Sequence, residues 1–162
     1  MNSQKNPSFL QKKSFFFSLL FFLLLLDQLS KRWIYHRGEG LFIPLITDFL
    51  SSSLSLVYVT NTGAAWGMFA DYPYWLFLFR ISLIAGMLFY IWKKREILLR
   101  IGFAFILSGA VGNLIDMYLY GHVIDFLAFT FGSYSFPVFN LADSSVTFGG
   151  ILLFFQIKAK KL

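Results

Sequence analysis

The stretch that decides the fold is SGAVGNLIDMYLYGHVIDFLAFTFGSYSFPVFNLADSS, residues 108–145. Among its apolar residues it carries three carboxylates and two asparagines, namely Asp116, Asp125, Asp143, Asn113 and Asn140. Each asparagine lies three residues before an aspartate (Asp116 or Asp143), so on a helix each pair would share one face. A carboxylate beside hydrocarbon is costly, and such residues usually face a bundle interior or a wet cavity and mark function. The stretch therefore predicts the active site of an enzyme embedded in a membrane.

The composition is that of a membrane protein. Of 162 residues, 57% are hydrophobic and 14% are charged, and the mean hydropathy is +0.66, far from a soluble globular profile. There is no cysteine, which excludes disulfides and thiolate metal sites, and two histidines are too few for an imidazole-based metal site without help from carboxylates. We therefore expect no metal and no other cofactor. The net charge of +6 suggests nucleic acid, but the basic residues cluster at the ends of apolar runs, so no nucleic-acid partner is expected.

Four apolar runs have about the length that a bilayer-spanning helix needs: residues 14–33, 73–92, 98–117 and 139–157. A signal peptide is the competing interpretation of the first run, because basic residues precede it. No small-x-small cleavage site follows it, however, and the run continues into Asp27 and Trp33, which favours a retained helix.

The connecting segments 34–72 and 118–138 are expected to lie outside the membrane. Alternation in LSLVYVTN, residues 54–61, predicts a strand in a small sheet on the membrane surface. The predicted fold class is an all-α membrane protein with four transmembrane helices and a small extracytoplasmic β element, forming one domain over residues 1–162. An aromatic belt at the membrane interface is expected from Trp66, Phe69 and Trp75.

The basic residues concentrate at both termini and in the 93–100 loop. The positive-inside tendency then predicts that both termini and this loop are cytoplasmic. In this orientation Asp27, Asp116 and Asp143 lie near the outer ends of their spans, and Asp125 lies in an outer segment. The candidate site residues therefore converge on one leaflet.

Charged residues within the spans have structural and functional interpretations. Asp27 and Lys31 lie four residues apart on one helix face. For Lys31 an ion pair at a helix end is the favoured interpretation, whereas Asp27 is equally compatible with a site carboxylate. Arg80 needs a partner or a wet route and is expected to face the bundle. The third span contains small residues that permit close helix packing: Gly102, Ala104, Ser108, Gly109 and Gly112.

The carboxylates are compatible with more than one function. Two carboxylates held close together between low-dielectric walls share one proton, and such a pair can hydrolyse a peptide without a metal or a covalent nucleophile. Oxygen ligands from aspartate and asparagine also suit hard cations, as in an ion or proton transporter. Composition and spacing leave an intramembrane hydrolase, a transporter and a structural membrane protein open.

Four blocks of sequence resemble the ordered motifs of lipoprotein signal peptidase, also called signal peptidase II: DQLSK (27–31), NTGAAWGMF (61–69), GNLIDMYLYGHVIDF (112–126) and FNLADSS (139–145). Members of this family are aspartic proteases of the bacterial cytoplasmic membrane. They cut prolipoproteins just before a cysteine that already carries diacylglycerol. The resemblance implies four transmembrane helices, a small external β element and a short amphipathic helix. It also implies lipidated prolipoprotein substrates, membrane lipid around the enzyme and inhibition by globomycin.

By motif position, the resemblance implies that Asp125 of GHVIDF and Asp143 of FNLAD form the catalytic pair. It implies substrate-binding or supporting roles for Asp27, Asn61, Asn113, Asp116, Asn140 and Ala142. The sequence departs from the family at two positions. Met117 follows Asp116 where an arginine is usual, which is expected to leave Asp116 without its adjacent cation, with Arg80 as a possible replacement. Trp66 stands where phenylalanine is usual, and it keeps an aromatic side chain there.

Overall fold

Four helices form the body of the protein, in a computed structural model that describes residues 9–49, 51–62 and 71–159. They are α1, Phe9–Tyr35; α2, Pro73–Trp92; α3, Ile97–Tyr120; and α4, Leu141–Ala159. Each coincides closely with one predicted apolar run. By length and composition, three helices in the described part of the chain are able to cross a membrane: Leu10–Tyr35, Tyr74–Trp92 and Ile97–Tyr120. The first turn of α4 is polar, and its crossing of the membrane stays a prediction.

A four-stranded antiparallel sheet completes the fold. Its strands, in spatial order, are β1, Phe42–Phe49; β2, Ser52–Asn61; β3, Val123–Phe131; and β4, Tyr134–Ser135. The predicted β element is therefore present, but the label all-α was too narrow. The sequence indicated no secondary structure for segment 118–138. In the structure this segment contains β3, which pairs along most of β2. This pairing joins residues about 70 positions apart, which local patterning does not reveal.

A β-bulge changes which face of β2 meets β3. Leu56 pairs with Leu127 and Val59 pairs with Asp125, so β2 advances three residues while β3 advances two. Because side chains alternate along a strand, the extra residue reverses the face that β2 presents beyond it. Asn61 consequently lies on the same face as Asp125, as its diagonal cross-strand neighbour.

Two apolar clusters hold the elements together. Within the helices, the larger cluster includes Phe16 of α1, Ile84 of α2 and Leu107 of α3, and α3 packs against the other three helices. The smaller cluster lies where α1 meets β3 and consists of Ile34, Ile124 and Phe126, with Leu56 and Tyr58 of β2 packed against it. The sheet is thereby fixed to the ends of α1 and α3. Of the expected aromatic belt, Trp75 is exposed at the start of α2, while Trp66 and Phe69 lie outside the described residues.

Close packing between α3 and α4 depends on glycine. A Cβ atom added to Gly109 would lie 2.2 Å from the Ala142 carbonyl oxygen, and one added to Gly149 would lie 2.6 Å from the Gly102 carbonyl oxygen. The predicted packing role of the small residues of the third span is confirmed at these contacts. A Cβ atom added to Gly112 would lie 2.4 Å from the Asp27 carboxylate and would displace that side chain.

Gly149 and Gly150 provide a matched test of this packing, since they are neighbours on one helix. Gly149→Ala is expected to lower the free energy of unfolding by about 1–3 kcal/mol, because the new methyl group meets backbone that has no room to move. Gly150→Ala is expected to be neutral or stabilising, because its Cβ would have no atom within 4 Å. Reversible unfolding in mixed micelles measures both. Equal stability of the two variants would contradict the close approach of α3 and α4.

Candidate active site

Asp125 and Asp143 line the same cavity, at the end of the helix bundle that meets the sheet. The cavity has a volume of about 950 Å³ and lies between α2, the start of α4, the end of β2 and the beginning of β3. Most of its wall is apolar, including Phe136, Val138 and Phe148. The structure thus brings together two carboxylates that are separated by a strand and a loop in the sequence.

Asp125 is held by two asparagines. Its Oδ1 accepts a hydrogen bond from Asn140 Nδ2 at 2.7 Å, and its Oδ2 accepts one from Asn61 Nδ2 at 3.1 Å. The residue is 3% exposed. Burial, and after it the negative charge of Asp143, raise the pKa of the Asp125 carboxyl to about 6, although the hydrogen bonds and the charge of Lys31 act in the opposite direction.

Asp143 belongs to a reciprocal cap at the start of α4. Asn140 immediately precedes the helix, and its Oδ1 accepts a hydrogen bond from the Asp143 backbone N–H at 2.9 Å. In return, Asp143 Oδ2 accepts one from the Asn140 backbone N–H at 3.2 Å. This is the geometry of a capping box, built from asparagine and aspartate. The predicted shared helix face is therefore a helix cap, and the positive end of the α4 dipole favours a carboxylate there.

Asn113 on α3 connects this pair to a second cluster of charges. Its Nδ2 donates to Asp143 Oδ1 at 2.9 Å, while its Oδ1 accepts from Asn140 Nδ2 at 3.1 Å and from Lys31 Nζ at 2.8 Å. Both ends of one amide are therefore in use. The predicted shared face of Asn113 and Asp116 is confirmed, because Lys31 contacts both side chains.

The second cluster, which we call the inner cluster, consists of Asp27, Lys31 and Asp116. Lys31 Nζ lies 2.9 Å from Asp27 Oδ2 and 2.9 Å from Asp116 Oδ2. The side chain of Lys31 is 1% exposed, that of Asp27 is 2% exposed and that of Asp116 is 0% exposed. Gln28 Nε2 donates to a carboxylate oxygen of each aspartate at 3.1 Å.

The expected ion pair between Lys31 and Asp27 near the end of α1 is confirmed. The pair is buried, and it is shared with Asp116 of α3. Asp116 has no cation next to it in the sequence, and a base from elsewhere in the chain contacts it; that base is Lys31, whereas Arg80 was the replacement considered from the sequence. A lysine within an apolar run, one turn from an aspartate, was the only sequence signal for this contact.

The inner cluster also accepts hydrogen bonds from the backbone directly before each candidate catalytic residue. Asp27 Oδ1 accepts the backbone N–H of Ala142 at 2.9 Å, and Ala142 directly precedes Asp143. Asp116 Oδ2 accepts the backbone N–H of Ile124 at 3.3 Å, and Ile124 directly precedes Asp125. Ala142 is fully buried. The contribution of Ala142 to the site is therefore its amide and its small size.

The oxygens that a cation would need are already occupied by N–H donors. In residues 9–49, 51–62 and 71–159 no group of three or more histidine, cysteine, aspartate or glutamate side chains is arranged to hold a metal ion. Lysine and amide N–H groups occupy the carboxylates of the inner cluster, and asparagine amides occupy those of Asp125 and Asp143. These N–H donors hold the carboxylates in place and use the oxygen atoms that would otherwise coordinate a cation.

The chain resembles known lipoprotein signal peptidases over most of its length. The family model described as signal peptidase (SPase) II matches residues 19–158. The lipoprotein signal peptidase of Bacillus pumilus is 37% identical over 150 residues, which is 88% of this chain and 92% of that protein. The lipoprotein signal peptidase of Geobacillus thermodenitrificans is 42% identical over 145 residues, which is 83% of this chain and 84% of that protein.

Two solved structures share the fold. A bacterial membrane enzyme determined by the in meso method at 2.3 Å resolution has a TM-score of 0.83 and 28% identity, over 91% of this chain and 90% of that chain. A bacterial membrane enzyme determined at 1.9 Å has a TM-score of 0.79 and 28% identity, over 89% of this chain and 92% of that chain. Together with the three apolar helices, these likenesses indicate a multi-pass bacterial membrane protein. The chain belongs to the signal peptidase II family.

Proposed function

We propose that this peptidase removes signal peptides from diacylglyceryl-modified prolipoproteins, cutting just before the lipidated cysteine, with Asp125 and Asp143 as its catalytic pair. The observation that carries the mechanism is that both carboxylates line one cavity and are joined through Asn140, which hydrogen-bonds to each. The enzyme works as one domain, residues 1–162, with four spans in the bacterial cytoplasmic membrane and both termini cytoplasmic.

The two carboxylates have different environments, which supports different roles. Asp125 keeps the shared proton, because its pKa is raised to about 6. Asp143 takes a proton from water, the water oxygen bonds to the carbonyl carbon before the scissile bond, and Asp125 gives its proton to the carbonyl oxygen. When the tetrahedral intermediate collapses, the C–N bond breaks, the leaving amine takes up the proton held by Asp143, and one hydroxyl of the intermediate returns its proton to Asp125, which releases the carboxylic acid and restores the pair.

The cavity suits a peptide whose lipid remains in the bilayer. Its apolar walls between α2 and α4, including Phe148 and Ile151, continue from the carboxylates toward the membrane-spanning part of the bundle. An enzyme that leaves the diacylglyceryl group in the membrane avoids a cost of about 0.8 kcal/mol for each methylene moved into water. Membrane lipid is thus part of the working environment, and globomycin-type compounds are expected to inhibit cleavage.

Six residues are proposed to position the catalytic pair: Asp27, Asn61, Asn113, Asp116, Asn140 and Ala142. Three asparagine side chains orient the two carboxylates by hydrogen bonds, and the inner cluster fixes the backbone before each of them. The transporter hypothesis has no support, because the matched relatives are peptidases by name and the carboxylate oxygens are occupied by N–H donors.

Replacing either catalytic carboxylate tests the mechanism. Asp125→Asn and Asp143→Asn are each expected to lower kcat by about 10²–10⁴-fold, since proton transfer through that group is lost. The assay is cleavage of a purified diacylglyceryl prolipoprotein with a chelator present, with and without globomycin. Asp71→Asn, at an exposed position before α2, is the matched control and is expected to cleave at the wild-type rate. Near-normal cleavage by either active-site variant would exclude it from the catalytic pair.

The pH dependence of cleavage tests the state of Asp125. Asp125 acts as an acid only when protonated, which holds below its pKa of about 6, so kcat/KM is expected to fall as the pH rises through about 6. Asn61→Ala removes a hydrogen bond that lowers the pKa of Asp125, and it is expected to move this alkaline limb to higher pH. Stopped assays of kcat/KM across the pH range measure both, and a limb that stays in place in Asn61→Ala contradicts the assignment.

Lys31→Met tests the inner cluster. It would leave two buried carboxylates without their cation, and loss of one partner of a buried ion pair costs about 3–5 kcal/mol. We expect lower stability in mixed micelles together with lower kcat, because the backbone beside each catalytic aspartate loses its anchor. Lys93→Met, which removes an exposed lysine at the end of α2, is the control. If the two lysine variants behaved alike in both measurements, Lys31 would not organise the site.

A further inference from the structure

Arg80 on α2 brings a positive charge to the cavity that Asp125 and Asp143 also line. It is the eighth residue of α2, about 10 Å along the helix from its first residue. Its side chain is half-buried and lines the cavity together with Asp125 and Asp143. An arginine within an apolar span is costly and remains charged, so a favourable interaction must compensate for its position. The sequence-based expectation that Arg80 faces the bundle is confirmed.

The charges around the cavity indicate what that interaction is. The inner cluster has two carboxylates and one lysine, which leaves one negative charge. The catalytic pair, with one shared proton, adds another. Within the described part of the chain, Arg80 is the one cation among the residues that line the cavity. The carboxylates that act on its guanidinium are Asp143 first and Asp125 second.

Such an interaction extends beyond direct contact. In surroundings of low dielectric constant, opposite charges attract over several ångströms more strongly than they do in water. The attraction is reciprocal, so the carboxylate pair also keeps its negative charge more easily in the presence of Arg80. Lys31 is the cation that pairs with Asp116, and Arg80 of α2 is a second cation, which lines the cavity.

We propose that Arg80 is a positioning residue for peptide cleavage, whose charge sets the pH range in which the catalytic pair carries a single proton. This inference rests on the proposed function. Arg80 takes no proton and forms no bond in the reaction. It acts through Asp143 and Asp125, and its loss changes the pH range in which the pair has one proton.

The experiment compares Arg80→Met, which removes the charge, with Arg80→Lys, which keeps it. The assay follows kcat and kcat/KM for a diacylglyceryl prolipoprotein against pH in mixed micelles. Arg80→Met is expected to move both limbs of the pH profile to higher pH by about one unit, since a nearby cation favours the ionised form of a carboxyl group. Arg80→Lys is expected to restore the position of both limbs.

The other charged groups around the pair remain in place in these variants: Lys31 and Asp27 on α1, and Asp116 on α3. Arg100→Met is the control for losing a buried arginine from a span. Arg100 is 2% exposed, donates to the Lys94 carbonyl oxygen at the far end of the bundle and does not line the cavity. Its variant is expected to leave the limbs in place. Arg80→Gln provides the neutral substitution if Arg80→Met fails to fold.

Unshifted limbs in the neutral Arg80 variants, with only a lower amplitude like that of Arg100→Met, would overturn the proposal and leave Arg80 a purely structural role. A profile for Arg80→Lys that matches Arg80→Met would overturn it too, because charge would not be the relevant property. Absence of cleavage by the wild-type protein would instead refute the proposed function, and the inference about Arg80 with it.

Discussion

The structure depends on one buried cation between two carboxylates. Lys31 joins Asp27 on its own helix to Asp116 on α3, and the three side chains are almost completely shielded from solvent. Removing these charges from water costs several kcal/mol for each ion, which ion pairing alone often fails to recover. Further donors reduce that cost here: the Gln28 amide and the backbone N–H groups of Ala142 and Ile124. Because those two amides precede Asp143 and Asp125, the same bonds that satisfy the buried charges also fix the backbone beside the proposed catalytic pair.

The short side chains of the site require the helices to lie unusually close together. An asparagine on α3 reaches an aspartate on α4 only if the two backbones nearly touch, and the glycines on their facing surfaces permit this. Gly109 lies against the Ala142 carbonyl group, and Gly112 lies against the Asp27 carboxylate. In lipid, where apolar surface gives no driving force for association, such packing and the hydrogen bonds it allows are what hold helices together. Helix packing and the geometry of the proposed active site therefore depend on the same contacts.

The sequence predicted features that depend on local pattern and missed features that depend on distant partners. The helices were found because a bilayer imposes the length of an apolar run, and their small residues marked the packed face. The strand that carries Asp125 was missed because its partner, β2, lies on the far side of two helices in the chain. The bulge beyond Leu56, which turns Asn61 toward Asp125, has no local signature such as glycine or proline in VYVTN.

Lys31 shows the same limit for charges. The spacing between Asp27 and Lys31 indicated an ion pair on one helix, and that pair exists. Nothing in the spacing indicated that Asp116, 85 positions later, would share the lysine. The number of charges within the apolar runs indicates part of this arrangement. Each buried carboxylate needs a hydrogen-bond donor or a cation, and the runs contain few cations.

The two aspartates that we propose as the catalytic pair have different structural supports, which fits different roles for like groups. Asp125 lies on a strand, deeply buried, where desolvation favours the protonated form. Asp143 lies in the first turn of a helix, where the Asn140 backbone N–H donates to its carboxylate at the positive end of the helix dipole. Asn140 binds both, donating its amide N–H to Asp125 and accepting the backbone N–H of Asp143. Since an asparagine cannot ionise, it fixes the relative position of the two carboxylates while the proton that distinguishes them moves.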